Sequence, residues 1–257
     1  MRIRAVLCAA MSAACVFSNV LAQEDDGSFG FAYGQYNDAI EAGDNAAAMT
    51  YAALAYERGE EAWGQGEEQL GDFALTLGNL YLAERRFQDA VNAYKNCTVI
   101  LGNHMPGAAV NLATCWKSLA ILQNLGGDAD GSVASFRQAA AVAEQAPEDP
   151  AARAIAGDAW LALASLVLPM EAGYLRTTIN DALFDLAAER AAKALPYITE
   201  SAGEGSEKVA RLHMILGHYA LKDEPEKAAG HYGLAYEIYS RTDDIDEADR
   251  QRAYTML

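Results

Sequence analysis

A spacing of 42 residues organises the first half of this chain. Ala48, Ala90 and Ser132 stand one period apart, as do Ala52, Tyr94 and Phe136, then Ala55, Cys97 and Ala139. Gly43, Arg85 and Gly127 keep the same interval and mark a turn in each copy. A fixed period of this size signals stacked supersecondary units, none of which can bury its apolar face alone. Alanine is abundant, Gly and Pro cluster between periodic runs, and no alternating strand pattern of useful length occurs. The chain therefore reads as nearly all helix, stabilised by neighbour-to-neighbour stacking and not by one central core.

Residues 71–104 form the clearest copy. Leu77, Gly78 and Tyr81 fall on a first helix, and Ala90, Tyr94 and Cys97 on a second. The pattern is a size code: Gly78, Ala90 and Cys97 sit where two helices cross closely, while Leu77, Tyr81 and Tyr94 fill the space around them. Glu84-Arg85-Arg86 is the polar turn, after which Phe87 packs back onto the hairpin. These residues resemble the tetratricopeptide repeat, a helix-turn-helix unit of about 34 residues. Ala74 stands where that pattern has its first large residue, and Gly102 stands near its usual proline. The longer period adds roughly two helical turns, which is similar to the extended repeats of kinesin light chains.

The resemblance implies an all-α, right-handed solenoid of antiparallel helix hairpins, about five in number, over a single domain at residues 23–257. The first copy runs from Phe29 to Gln69. The third begins near Ala113, with Trp116, Leu119 and Ala120, a turn at Gly126-Gly127-Asp128, then Phe136 and Ala139. In the fourth, Trp160, Leu163, Ala164 and Val167 repeat the order with the phase slipped by two. An insertion at 168–179 is expected next, then a second helix from Asn180 to Ala194, with Pro196 and Ser201–Ser206 forming a linker. Leu216-Gly217, a turn at Lys222–Pro225, and Ala228, Tyr232 and Ala235 make the fifth copy. The polar tail from Asp243 reads as the cap that a terminal repeat needs.

Arg2 and Arg4 precede an apolar stretch, Ala5–Phe17, and Val20-Leu21-Ala22 ends in small residues before Gln23. This is the order of a cleaved secretory signal over residues 1–22, and its apolar part is shorter than the roughly 20 residues that span a bilayer. A periplasmic or secreted protein with no membrane insertion after cleavage is expected. Cleavage removes two Arg and no acid, so the formal charge of −17 becomes −19. Such a chain repels nucleic acid and anionic headgroups. The charge suits a basic partner, or serves only to keep an extended surface in solution. Cys97 and Cys115 remain in the mature chain, an even number. They are either bridged or, for Cys97, the small residue a tight helix contact needs.

Tetratricopeptide arrays bind peptides along the face lined by the first helix of each hairpin. By register, the resemblance places Tyr33 and Asn37, Leu75 and Asn79, Lys117 and Ile121, Leu161 and Ser165, and Met214 and His218 on that face. Asn37 and Asn79 occupy one place in successive copies, and an Asn there can hold a peptide backbone by donating and accepting at once. One subtype clamps a terminal carboxylate with paired Lys, Arg and Asn; this chain keeps Asn79 and Lys117 at candidate places but lacks the remaining basic residues, so that activity does not carry over. His213 reads as a packing residue in the place of Trp116 and Trp160, and His104 and His231 read as isolated. No metal motif, phosphate-cradling loop or nucleophile elbow occurs, so neither a cofactor nor catalysis is expected. The expected function is a scaffold for a protein or peptide partner in the cell envelope. The alternatives are an obligate accessory subunit of an envelope transport or assembly complex and, remotely, an enzyme using residues 168–179.

Overall fold

The computed structural model describes residues 25–64, 66–167, 181–221, 223–242 and 247–256. The signal segment and the 168–179 insertion read from the sequence lie outside the described residues. All the regular structure among those described is helical. The described residues divide into two compact units, one up to Gly64 and one after it. The first unit contains the hairpin of α1 (Phe29–Glu41) and α2 (Asn45–Trp63). The second contains four hairpins: α3 (Glu68–Ala83) with α4 (Phe87–Gly102), α5 (Ala109–Leu125) with α6 (Ala129–Ala143), α7 (Pro150–Val167) with α8 (Asp181–Ala202), and α9 (Glu207–Ala220) with α10 (Pro225–Arg241). A last helix, α11 (Glu247–Thr255), packs Ala253 into the cluster of Ala228, Tyr232 and Tyr239, which is the covering role the sequence assigns to the tail.

The periodic turn residues share one backbone conformation. Gly43, Arg85 and Gly127 have φ of 70°, 58° and 82°. Each donates its N–H three residues back, to Ile40, Leu82 and Asn124, and the residue after it donates five back, to Ala39, Tyr81 and Gln123. This double closure satisfies carbonyls left over at the end of the first helix. Asp44 and Asp128 then open the next helix, their carboxylates accepting from the backbone N–H of Ala47 and Gly131. Arg86 cannot do this; its guanidinium pairs with Asp89 at 2.6 Å and lies 4.6 Å from the Tyr81 ring centroid. Arg85 is thus an L-residue where two copies place glycine. Left-handed backbone costs a non-glycine residue roughly 1–2 kcal/mol, so Arg85→Gly is expected to raise stability by about 0.5–1 kcal/mol in urea unfolding, after glycine's extra unfolded-state entropy is subtracted.

The size code operates through close approaches. A methyl group added at Gly78 would overlap the Tyr94 ring. One added at Gly217 would stand 2.7 Å from Tyr232 Cε1, and one at Gly157 would stand 2.8 Å from Tyr197 Cβ. In the third hairpin Ala120 and Phe136 take the corresponding places in one buried cluster. In the first the sizes are exchanged: Tyr36 stands one period before Gly78, and Ala52, fully buried, one period before Tyr94. Volume is kept while its source switches helix.

Pro196 does not end α8, as the sequence predicts, but lies inside a helix that continues to Ala202. A proline there forfeits one backbone hydrogen bond and costs about 3 kcal/mol. Ile198 beyond it is completely buried and, with Tyr197, closes on Gly157 of α7. Ending the helix early would expose that contact. Between α4 and α5, Cys97 and Cys115 form a disulfide, with Cα atoms 6.3 Å apart and both side chains fully buried.

Candidate functional site

The first helices of the second unit are joined side by side by a polar row. Asn111 of α5 donates to the Asp72 carboxylate of α3 at 2.8 Å. Asp158 of α7 accepts from Lys117 of α5 at 3.1 Å through one oxygen and from Lys208 of α9 at 2.5 Å through the other. Burial works against the ionised Asp158, but the Lys208 hydrogen bond and the Lys117 charge more than offset it and hold its carboxyl below the usual carboxylate range. One carboxylate thereby ties three consecutive hairpins. The sequence reading missed it, although a lone acid in the run Ala154-Ile155-Ala156-Gly157-Asp158-Ala159-Trp160-Leu161 is a signal. A charge in so apolar a helix needs a partner.

Several residues assigned to a ligand are used by the array itself. Asn79 is exposed, yet its side-chain oxygen accepts the Tyr94 hydroxyl at 2.8 Å. His218 Nδ1 lies 2.6 Å from the Tyr232 hydroxyl. The two pairs are equivalent, because in both the residue after the close-packed glycine meets the hydroxyl of the large residue that covers that glycine. Where Phe136 replaces tyrosine, the residue after Ala120 is the apolar Ile121. Burial raises the hydroxyls of Tyr94 and Tyr232 above the usual range.

Met214 is not on the exposed face. It is 2 % exposed and packs with Ala210, Ala228 and Tyr232, in the cluster that Ala253 of α11 also joins. Leu161 is likewise buried, in the cluster with Phe184 and Ile198, and Ser165 bonds back to the Leu161 carbonyl. Leu75 is half-buried. Lys117 belongs to the Asp158 bridge. In the first unit Tyr33 is 42 % exposed and stacks between Phe29 and Tyr36, with centroids at 5.5 and 6.0 Å, and Asn37 is exposed. In the second unit, α5 carries a row of Lys117, then Ile121 at 45 % and Leu125 at 72 % exposure, each one turn on from the last.

The histidines also depart from the expected reading. His104 Nε2 lies 2.6 Å from the Gly66 carbonyl. His231 is not isolated: its Nδ1 is 3.0 Å from Nδ1 of His213. Among the described residues no three His, Cys, Asp or Glu side chains are grouped to hold a metal, and no helix is long and apolar enough to cross a membrane.

Helix hairpins, three of them closed by left-handed turns, with small residues seated under large ones, define a tetratricopeptide-like helical repeat fold. Solved structures agree. BtubC (BKLC) from P. vanneervenii superposes with a TM-score of 0.54 at 18 % identity, over 90 % of this chain and 80 % of that one. The MamA protein gives 0.53 at 15 %, over 85 % and 96 %, and the apo form of RapI gives 0.54 at 16 %, over 89 % and 68 %. No protein-family model matches the sequence, and no curated protein matches it.

Proposed function

We propose that this chain is a scaffold that binds a protein or peptide partner through the first-helix side of its second unit. One observation carries the reading: Ile121 and Leu125 stay exposed on α5 next to a polar row whose charged groups are already paired across neighbouring helices. Aliphatic side chains presented one turn apart on a rigid surface suit an extended or helical segment with matching apolar residues. An exported location in the cell envelope or outside the cell fits the reading. It is supported by the charge, apolar and small-residue order of residues 1–22 and by the Cys97–Cys115 bridge, since disulfides persist in oxidising compartments.

Panning a random peptide library against the full chain tests this. Enriched peptides are expected to carry paired apolar residues and to lose at least tenfold in affinity, about 1.4 kcal/mol, to the variant Ile121→Gln plus Leu125→Gln, with helical circular dichroism unchanged. Equal binding to the variant, or no enrichment, overturns the proposal.

A further inference from the structure

His213 lies on α9 and His231 on α10, the two helices of the final hairpin. Their Nδ1 atoms are 3.0 Å apart while the ring centroids are 5.2 Å apart. The difference is about the width of one imidazole, so the two nitrogens point at one another. That is a hydrogen bond between rings, and it sets a proton count. In the neutral pair, one ring donates from Nδ1 and the other accepts with its Nδ1 lone pair. A first added proton goes to Nε2 of the donor, and the N–H···N bond survives, strengthened by charge. A second proton must occupy the acceptor's lone pair. Two N–H groups then face each other, and the contact cannot persist.

We propose that the His213–His231 pair is a proton-sensitive latch on the α9–α10 hairpin, closed while the pair carries at most one extra proton and opened by the second. This rests on the pair's geometry and not on the binding proposal. The charged groups around it are few. Lys227 on α10 acts on His231 and disfavours its protonation. Glu204 from the α8–α9 connection and Glu237 and Arg241 from α10 line the same cleft as His213, and the last two are paired with each other at 2.6 Å. Burial is the first cause, and the neighbouring ring's charge the second, that holds His213 below its usual range; for His231 burial again comes first, then Lys227. His218, also lowered by burial, differs in kind. Once protonated it can still donate to the Tyr232 oxygen, so acid need not break that contact, although burial makes its protonation cost stability.

The sign follows from linkage. Groups held below their unfolded value bind fewer protons in the folded state. Their contribution is therefore complete above about pH 6.5 and is lost as pH falls through the lower folded values. The test uses the full chain with 15N-labelled histidine, titrated from pH 8 to 4.5. His213 and His231 should titrate as a coupled pair, the second step at least one unit below the first, and His213→Asn or His231→Asn should return the remaining ring toward ordinary behaviour. Backbone hydrogen exchange, corrected for intrinsic rate, should show α9 and α10 losing protection roughly tenfold relative to α5 and α6 between pH 7 and 5. His231→Gln keeps a hydrogen-bonding side chain without the second proton site, so it should lose clearly less protection than the natural chain between pH 7 and 5, the remainder coming from His213 and His218, which burial still holds low. The proposal is overturned if the two rings titrate independently at the ordinary value, if α9–α10 protection does not change relative to α5–α6, or if His231→Gln loses protection as the natural chain does.

Discussion

Gly78→Ala is expected to destabilise the protein by about 2 kcal/mol, although alanine is the better helix former. In an open helix position, replacing glycine by alanine gains roughly 0.5–1 kcal/mol. At Gly78 the new methyl group would overlap three carbons of the Tyr94 ring. That ring cannot simply turn away. It is completely buried, and its hydroxyl is held by Asn79 at 2.8 Å. Forcing a methylene-sized volume into such packing costs typically 1–3 kcal/mol, occasionally more, and displacing the hydroxyl adds the cost of a broken hydrogen bond, about 1 kcal/mol. Gly34 in α1 is the matched control, because nothing lies within 4 Å of an added methyl there. Gly34→Ala is expected to be stabilising. Urea unfolding of the two variants should therefore give shifts of opposite sign. If both stabilise, the Gly78–Tyr94 contact does not set the spacing of this hairpin.

Those two glycines also show what the sequence reveals. Gly78 is legible because its pairing with Tyr94 returns one period later as Ala120 with Phe136 and, one residue closer, as Gly217 with Tyr232. Repetition turns a single residue into a pattern. Arg85 is legible as a turn for the same reason, even though its own residue type argues against left-handed backbone. Pro196 misleads because local propensity is strong there and nothing in the nearby sequence announces Ile198 as a core residue. The burial that offsets the proline comes from α7, about 40 residues earlier.

The exposed face was harder to read than the core. Register correctly groups Asn79 with His218, but it cannot show that both face a tyrosine hydroxyl of their own hairpin. Met214 holds the place of Leu75, but it is buried in the cluster that α9, α10 and Ala253 of α11 form at the last hairpin. Polar pairs across hairpins, Asp158 with Lys117 and Lys208, and within one, His213 with His231, join residues 18 to 50 positions apart. Their partners differ from copy to copy, so no period marks them. The sequence thus carries the repeated contacts well and the unrepeated ones poorly, and the functional surface of an array is built largely from the second kind.

Replacing Cys97 and Cys115 together by alanine is expected to cost about 3 kcal/mol. The bridge closes a loop across 18 positions, and loop-closure entropy for a segment of that length is worth roughly 3 kcal/mol in the unfolded chain. At position 97 alanine is the array's own solution: Ala55 and Ala139 occupy the equivalent places and are completely buried. The loss therefore reports mainly the cross-link and only slightly the packing at that helix crossing. Urea unfolding should show a lower midpoint and a steeper denaturant dependence, because the unlinked chain exposes more surface on unfolding. Both sulfurs are sealed from solvent in the folded state, so a reductant should leave the native protein bridged and act only once the α4–α5 contact opens. The bridge joins two successive hairpins, and in a stacked array cooperativity depends on such neighbour interfaces. The alanine variant should accordingly lower the thermal midpoint as well. A variant as stable and as cooperative as the natural chain would mean that Cys97 and Cys115 contribute no more than two small buried side chains.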